Sequence, residues 1–162
     1  MEKVFIALGG NVGNVSGNFD IAIQKISAMV GPVIKQSSLY KTEPWGNKNQ
    51  DYFLNKVVEV ETKQTPAEVL ANILSIEKMM GRNRNKNDQF APRSIDIDLL
   101  FYGAKIINEN HLVVPHPRLH LRNFVLTPLM EIAPDLIHPL LKKSIIDLSQ
   151  QSNDSSVVNR IH

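Results

Sequence analysis

Hydrophobic periodicity changes several times along this chain, and the order of the changes leaves few folds open. Val4 to Leu8 is a continuous apolar run ended by Gly9, Gly10, Asn11, Val12 and Gly13, the pattern of a buried strand feeding a turn. Phe19, Ala22, Ile23, Ile26 and Val30 then recur at spacings of three and four, one face of a helix that Gly31-Pro32 stops. Val33 to Lys41 returns to strand composition and Thr42 to Asp51 to that of a loop. Tyr52 to Thr62 alternates, with Leu54, Val58 and Val60 on one side and Phe53, Asn55 and Val57 on the other. Thr65-Pro66-Ala67-Glu68 is a capping box with proline at the first helical position. Leu70, Ile73 and Leu74 form the stripe of the helix it opens, Glu77 lies where that stripe reaches solvent, and Gly81 marks the end. After the polar loop from Arg82 to Arg93, Ile95 to Tyr102 alternates again as a strand turned by Gly103, and Ala104 to Ile107 reads as a short hairpin return. Further on, Pro115, Pro117, Pro128, Pro134 and Pro139 break the pattern.

Strand, helix, strand, strand, helix, strand is the order of an α+β ferredoxin-like two-layer α/β sandwich, βαββαβ, here with a C-terminal extension covering part of it. A length of 162 residues, 43% of them hydrophobic, suits one domain over 1–162. The formal net charge of +2 is too small for a whole-surface nucleic-acid footprint, so no nucleic-acid partner is expected. The absence of cysteine excludes disulfides, thiolate catalysis and cysteine-ligated zinc. No stretch approaches the ~18 apolar residues of a membrane span, and Met1 to Leu8 is too short for a signal-peptide core. A cytoplasmic monomer without a membrane partner is the expectation.

Asp96 and Asp98 are the sharpest chemical feature. Two residues apart on a strand, their carboxylates share one face, leaving Ile95, Ile97, Leu99 and Phe101 for the other. A hard cation such as magnesium, which favours carboxylate oxygen and shares its shell with water and phosphate, would offset their repulsion. Arg82, Arg84 and Arg93, on the loop leading into the strand, suit the charge of a polyphosphate. Carboxylate, metal and arginine make a phosphoryl-transfer set. A solvated strand face is the plain alternative for the aspartates. A basic loop that binds RNA, with Phe90 as a stacking platform, is the alternative for the arginines. His116, held between Pro115 and Pro117 and followed by Arg118, is placed to meet a phosphate. No G-x-x-x-x-G-K-[ST] occurs, Gly9 to Gly13 lacks Rossmann spacing, and His111, His120, His138 and His162 lack metal-ligand spacing.

Taken in order, these segments resemble the hydroxymethyldihydropterin pyrophosphokinase family along most of the chain, from Ala7-Leu8-Gly9-Gly10-Asn11 to Ile132-Ala133-Pro134. The strongest is Ala91-Pro92-Arg93-Ser94-Ile95-Asp96-Ile97-Asp98-Leu99-Leu100, which looks like the family signature. Tyr40 to Pro44, Phe53-Leu54-Asn55, Gly81 to Arg84 and Val114-Pro115-His116 support it in sequence order. The resemblance implies transfer of pyrophosphate from ATP to 6-hydroxymethyl-7,8-dihydropterin in folate biosynthesis, with AMP as co-product. It implies that Asp96 and Asp98 hold two magnesium ions, and that Phe53 and Phe124 sandwich the pterin. Asn55 would read the polar edge of the pterin, helped by backbone groups around Thr42, Pro44 and Trp45. Arg82 and Arg93 would act on the transferred phosphates, and Glu77, Arg84, Arg93, His116 and Arg122 would contact ATP. ATP binding would organise the loops 46–51 and 83–90. The chain departs from the family's usual pattern at Leu74, Gln89 and Phe90. A ferredoxin-like RNA-binding module and a catalytically silent pterin- or nucleotide-binding protein are the rival readings.

Overall fold

The computed structural model describes residues 1–42, 52–81 and 95–161. The first apolar run is a strand, β1 (Glu2–Gly10), and the helix after it, α1 (Val15–Met29), buries Phe19, Ala22, Ile23 and Ile26 as its periodicity requires. The Asn14 side chain caps α1 by accepting from the Gly17 N–H at 3.1 Å.

The single strand expected over Val33 to Lys41 is two, β2 (Val33–Gln36) and β3 (Leu39–Thr42). Ser37 explains the break. Its hydroxyl accepts the Val57 N–H at 2.9 Å in place of a backbone carbonyl, so the chain steps out of the ladder and back in. Both strands pair antiparallel with β4 (Phe53–Thr62), β2 along Val58 to Val60 and β3 along Phe53 to Asn55.

The capping box forms as read. Thr65 Oγ1 accepts from the Glu68 N–H and Glu68 Oε1 from the Thr65 N–H, opening α2 (Pro66–Met79), which Gly81 follows at a φ of 83°. The buried stripe of α2 is Val69, Ile73 and Ile76, while Leu74 is 43% exposed. Glu77 corrects the expectation of solvent at the end of the stripe: it is 2% exposed.

β5 (Asp96–Tyr102) completes the main sheet at one edge and the last strand, β10 (Val158–Ile161), at the other, so the order across it is β10-β3-β4-β1-β5. The register between β1 and β5 shifts between Phe5 and Ile6, so Leu99 pairs with Ile6 while Phe101 pairs with Phe5. This bulge rotates Phe101 to the face opposite Ile97, which corrects the uniform alternation read from the sequence. The hairpin comes later than expected and stands apart from the main sheet as β6 (Ile107–Glu109) and β7 (Leu112–Val114). A tight helical turn, Leu119–Leu121, precedes α3 (Asn123–Ile132), which runs through Pro128 rather than stopping at it. The small hairpin β8 (Ile137–His138) with β9 (Lys143–Ser144), then α4 (Ile145–Gln151), lead to β10 (Val158–Ile161), which adds to β3.

The sheet therefore has two covered faces. Val4, Ile6, Leu8, Val58, Val60 and Ile97 face α1 and α2, while Phe5, Val57 and Phe101 face α3 and α4. Full burial of one such aliphatic side chain contributes ~1.5–3 kcal/mol, so both layers are needed to hold the sheet. No helix among the described residues is long and apolar enough to cross a membrane.

Candidate active site

Antiparallel register lines up the polar residues of the sheet. Tyr40 pairs with Asn55, Asn55 with Gly9, and Gly9 with Asp96, so one row crosses β3, β4, β1 and β5. Directly paired residues share a face, and so do residues two apart, so Thr42, Phe53 and Asp98 belong to the same side. This is the α3 side, where Phe124 packs on the cluster containing Val57 and Phe101. The sequence-derived pairs, Phe53 with Asn55 and Asp96 with Asp98, thus sit on one surface, separated by β1.

Gly9, one of the glycines that end the first apolar run, lies between the amide and the first carboxylate. A Cβ there would stand 3.2 Å from Asn55 Oδ1, so a larger residue would crowd the amide. Asn55 Nδ2 donates to Thr42 Oγ1 at 3.3 Å, which orients the amide across the gap between β3 and β4.

Asp96 and Asp98 are half-buried, and Glu77 reaches the strand between them from the opposite face. Its Oε2 accepts the Ile97 N–H at 2.7 Å. β5 is the edge of the sheet, and its outward N–H groups need acceptors that no further strand supplies. A buried carboxylate performs that task here, so Glu77 fixes the backbone that carries both aspartates. The other end of this edge is held by the His116 N–H, which donates to the Leu100 carbonyl at 2.9 Å, beside the bulge.

His116 Nδ1 accepts from the Arg118 N–H at 3.1 Å, leaving Nε2 to carry the proton of the neutral ring. Burial, then Arg122 and Arg118, push the His116 pKa down to about 4 against the opposing pull of Asp96, so the imidazole is a neutral donor near pH 7. The Arg122 guanidinium lies 5.4 Å from the centre of the Phe124 ring. Asp98 and His116 also line an open cavity of about 370 Å³ at the β5 edge, together with Leu70, Leu74 and Leu112 and with Asn110 and His111 of the β6–β7 turn. Those hairpin residues carry no sequence signal that marks them.

Among the described residues no group of three or more His, Cys, Asp or Glu is arranged to hold a metal ion. Two carboxylates of half-exposed oxygen suit a cation that takes its remaining ligands from phosphate and water, as magnesium does. Pro44, Trp45, Arg82, Arg84 and Arg93, with the loops 46–51 and 83–90, lie outside the described residues.

An antiparallel sheet covered by helices on both faces, with an amide in its middle and paired carboxylates at one edge of the same surface, defines the class: a mixed α/β protein. Residues 5–134 match the profile of the 7,8-dihydro-6-hydroxymethylpterin-pyrophosphokinase (HPPK) family, and the chain belongs to that family. It is 41% identical over 138 residues to the 2-amino-4-hydroxy-6-hydroxymethyldihydropteridine pyrophosphokinase of Methylorubrum extorquens, covering 85% of this chain and 86% of that one. To the enzyme of the same name from Aquifex aeolicus it is 37% identical over 152 residues, 94% of this chain and 93% of that one. It is 40% identical over 156 residues to the folic acid synthesis protein fol1 of Pneumocystis carinii, 96% of this chain but only 21% of that protein. A crystal structure of Plasmodium falciparum HPPK-DHPS superposes with a TM-score of 0.77 at 19% identity, over 93% of this chain and 45% of the other, and shares its fold. The chain thus spans most of the bacterial relatives and less than half of the longer eukaryotic ones.

Proposed function

We propose that this chain transfers pyrophosphate from ATP to 6-hydroxymethyl-7,8-dihydropterin, the step of folate biosynthesis that its family performs. The observation that carries the reading is the single row in which Asn55, Gly9 and Asp96 follow one another across three strands. A flat heterocycle read by an amide is thereby next to a carboxylate pair suited to a polyphosphate.

In this reading Phe53 and Phe124 stack on the pterin, and Asn55 reads its polar edge with Thr42, Pro44 and Trp45. The cavity at the β5 edge takes the nucleotide, its apolar leucine wall suiting a base and its rim of Asp98 and His116 suiting phosphate. Arg84, Arg93, His116 and Arg122 serve ATP, Glu77 acts on ATP only through the β5 backbone that it holds, and Arg82 with Arg93 neutralise charge on the transferred group. Asp96 and Asp98 would hold two magnesium ions, which supply charge neutralisation on the phosphates and acidify the attacking hydroxyl. The hydroxymethyl oxygen, giving up its proton to Asp98 or to water, forms a bond to the β-phosphorus as the bond from that phosphorus to the oxygen bridging the α- and β-phosphates breaks. The electron pair and negative charge leave with AMP. His116, neutral with its proton on Nε2, donates to phosphate without adding a competing charge.

The further elements of the reading are a ferredoxin-like βαββαβ core, supported by the order β3-β4-β1-β5, one domain over 1–162, and a cytoplasmic monomer. The test is direct: incubate the protein with ATP, magnesium and hydroxymethyldihydropterin and identify the nucleotide product. AMP appearing in step with pterin diphosphate supports the reading. ADP, or pterin binding without any AMP, overturns it.

A further inference from the structure

Helix α3 does not cap itself. Arg122 occupies its N-cap position and makes no capping hydrogen bond with its side chain, although the first N–H groups of a helix need acceptors. One acceptor comes from the polar tail, 31 residues further along the chain. Asp154 Oδ2 accepts the Asn123 N–H at 2.8 Å, and the Asp154 carbonyl accepts from Asn123 Nδ2 at 2.9 Å. The carboxylate is itself fixed, because its Oδ1 accepts the Ser156 N–H at 2.9 Å and the Asp154 N–H donates to Ser152 Oγ at 3.2 Å.

Burial acts to raise the Asp154 pKa, but the hydrogen bonds from Ser156 and Asn123 outweigh it and hold the carboxyl below its ordinary value. An ionised group at a helix N-terminus also meets the positive end of the helix dipole. The tail then continues into β10, where Arg160 lies 3.8 Å from Glu131 at the far end of the same helix. Both ends of α3 are therefore tied to residues 152–161. The residue after Asn123 is Phe124.

We propose that Asp154 is a positioning residue for the pterin site: by capping α3 from the tail it fixes the start of the helix, and so sets the Phe124 ring relative to Phe53 and Asn55 on β4. The tail thereby governs affinity for the flat heteroaromatic substrate without touching it. This rests on the reading of Phe53 and Phe124 as the pterin-binding pair.

The experiment compares Asp154→Ala, Asp154→Asn and Phe124→Ala by steady-state kinetics in both substrates, with thermal unfolding of each. Asp154→Ala is expected to raise the pterin KM about tenfold, equivalent to ~1.4 kcal/mol, while the ATP KM, to which Arg122 at the same helix start is only one of several contributors, rises by no more than about twofold. Asparagine retains one acceptor for the Asn123 N–H, so Asp154→Asn should raise the pterin KM only about threefold. A cap that merely stabilises the fold would lower the Tm of Asp154→Ala and leave the pterin KM unchanged, or raise both KM values together, and either result overturns the proposal. Should Asp154→Ala not fold at the assay temperature, the asparagine variant decides on the same split between the two KM values. Phe124→Ala separates the two readings. An unchanged pterin KM there sinks the pterin-pair assignment and the proposal with it, whereas a large rise in that variant alone sinks only the role of Asp154.

Discussion

The two walls of the site are held by different kinds of bond. Asn55, Asp96 and Asp98 stand on strands whose positions relative to one another follow from a continuous antiparallel backbone ladder. Phe124 stands on a short helix that packs on the sheet through Val125, Leu126 and Leu129 and is tied at its two ends by single polar side chains. Asp154 reaches its start, while Glu131 near its end accepts from the Ser38 N–H at 2.9 Å, the Ser38 hydroxyl at 3.0 Å and the Tyr40 hydroxyl at 2.7 Å. A ladder spreads its stability over many backbone hydrogen bonds, so one side-chain change on it alters chemistry and little else. A strap concentrates stability in one or two groups, so the same change there alters position and stability together.

The largest expected effect tests the ladder side. Asp98→Ala should lower kcat on the order of 10³-fold, since it removes one of two carboxylates from the charge-stabilising set, and Asp96→Ala should do likewise. The Tm of both should stay within about 3 °C of the parent, because neither side chain contributes to the ladder. Single-turnover rates and differential scanning calorimetry on the same samples check this. A folded double variant with a near-parent rate would refute the assignment of the aspartates, and a large loss of Tm would erase the contrast between the walls.

Glu131→Ala tests the strap side and should reverse the pattern. Burial raises the pKa of this carboxyl, but donation from Ser38 and Tyr40 and the nearby Arg160 outweigh it and keep it below the ordinary value. The same contact works the other way on Tyr40, where burial first and then Glu131 push the phenol up to about 12. Loss of hydrogen bonds to a charged group costs ~1.5–3 kcal/mol, or roughly 3–12 °C in Tm for a chain of this size. Because β3 pairs directly with the Phe53 to Asn55 segment, a several-fold rise in pterin KM should accompany the loss. A thermodynamic cycle with Tyr40→Phe sharpens the comparison: the two changes should couple by about 1 kcal/mol, and strict additivity would show that the pair does not act as a strap.

The same division decides what could be read from the sequence. Period-two alternation gave the shared face of Phe53 and Asn55, that of Asp96 and Asp98, and the order of strands and helices, because local sterics fix those relations within a segment. It missed the bulge that turns Phe101, since an extra residue in a strand is set by its partner and leaves no mark on composition. Glu77 was found but placed in solvent, because only the position of β5 at the sheet edge makes a buried carboxylate useful there. Asp154 and Glu131 could not be found at all. Their partners lie 31 and 91 to 93 residues away, and nothing in a polar tail or a helix end distinguishes a strap from a solvated charge.

The smallest effect concerns pH and falls again on the strap-held layer. His138 is 3% exposed, and its Nδ1 accepts the N–H groups of Leu140 at 3.2 Å and Leu141 at 3.0 Å, which closes the β8–β9 turn. Its ring packs edge-on against Phe101 from the sheet at 5.6 Å and lies 6.3 Å from His120 in the turn before α3. Burial, then His120, lower its pKa below the ordinary 6.5. Protonation would also convert an acceptor of two N–H groups into a donor facing them. The sign follows: as pH falls below about 6.5 the unfolded chain takes up a proton that the folded chain refuses. Stability therefore declines until the folded imidazole protonates as well. His116, held at about 4, adds a slope of the same sign over the same window. Between pH 7 and 5 His138 therefore contributes a loss of stability as the pH falls. His138→Asn keeps an acceptor near the Nδ1 position and cannot titrate, so urea unfolding across that range should show a reduced slope and little change at pH 7. Equal slopes in parent and variant would mean that the turn tolerates the charge. His116, on the sheet side of the comparison, would then account for the larger part of the histidine slope.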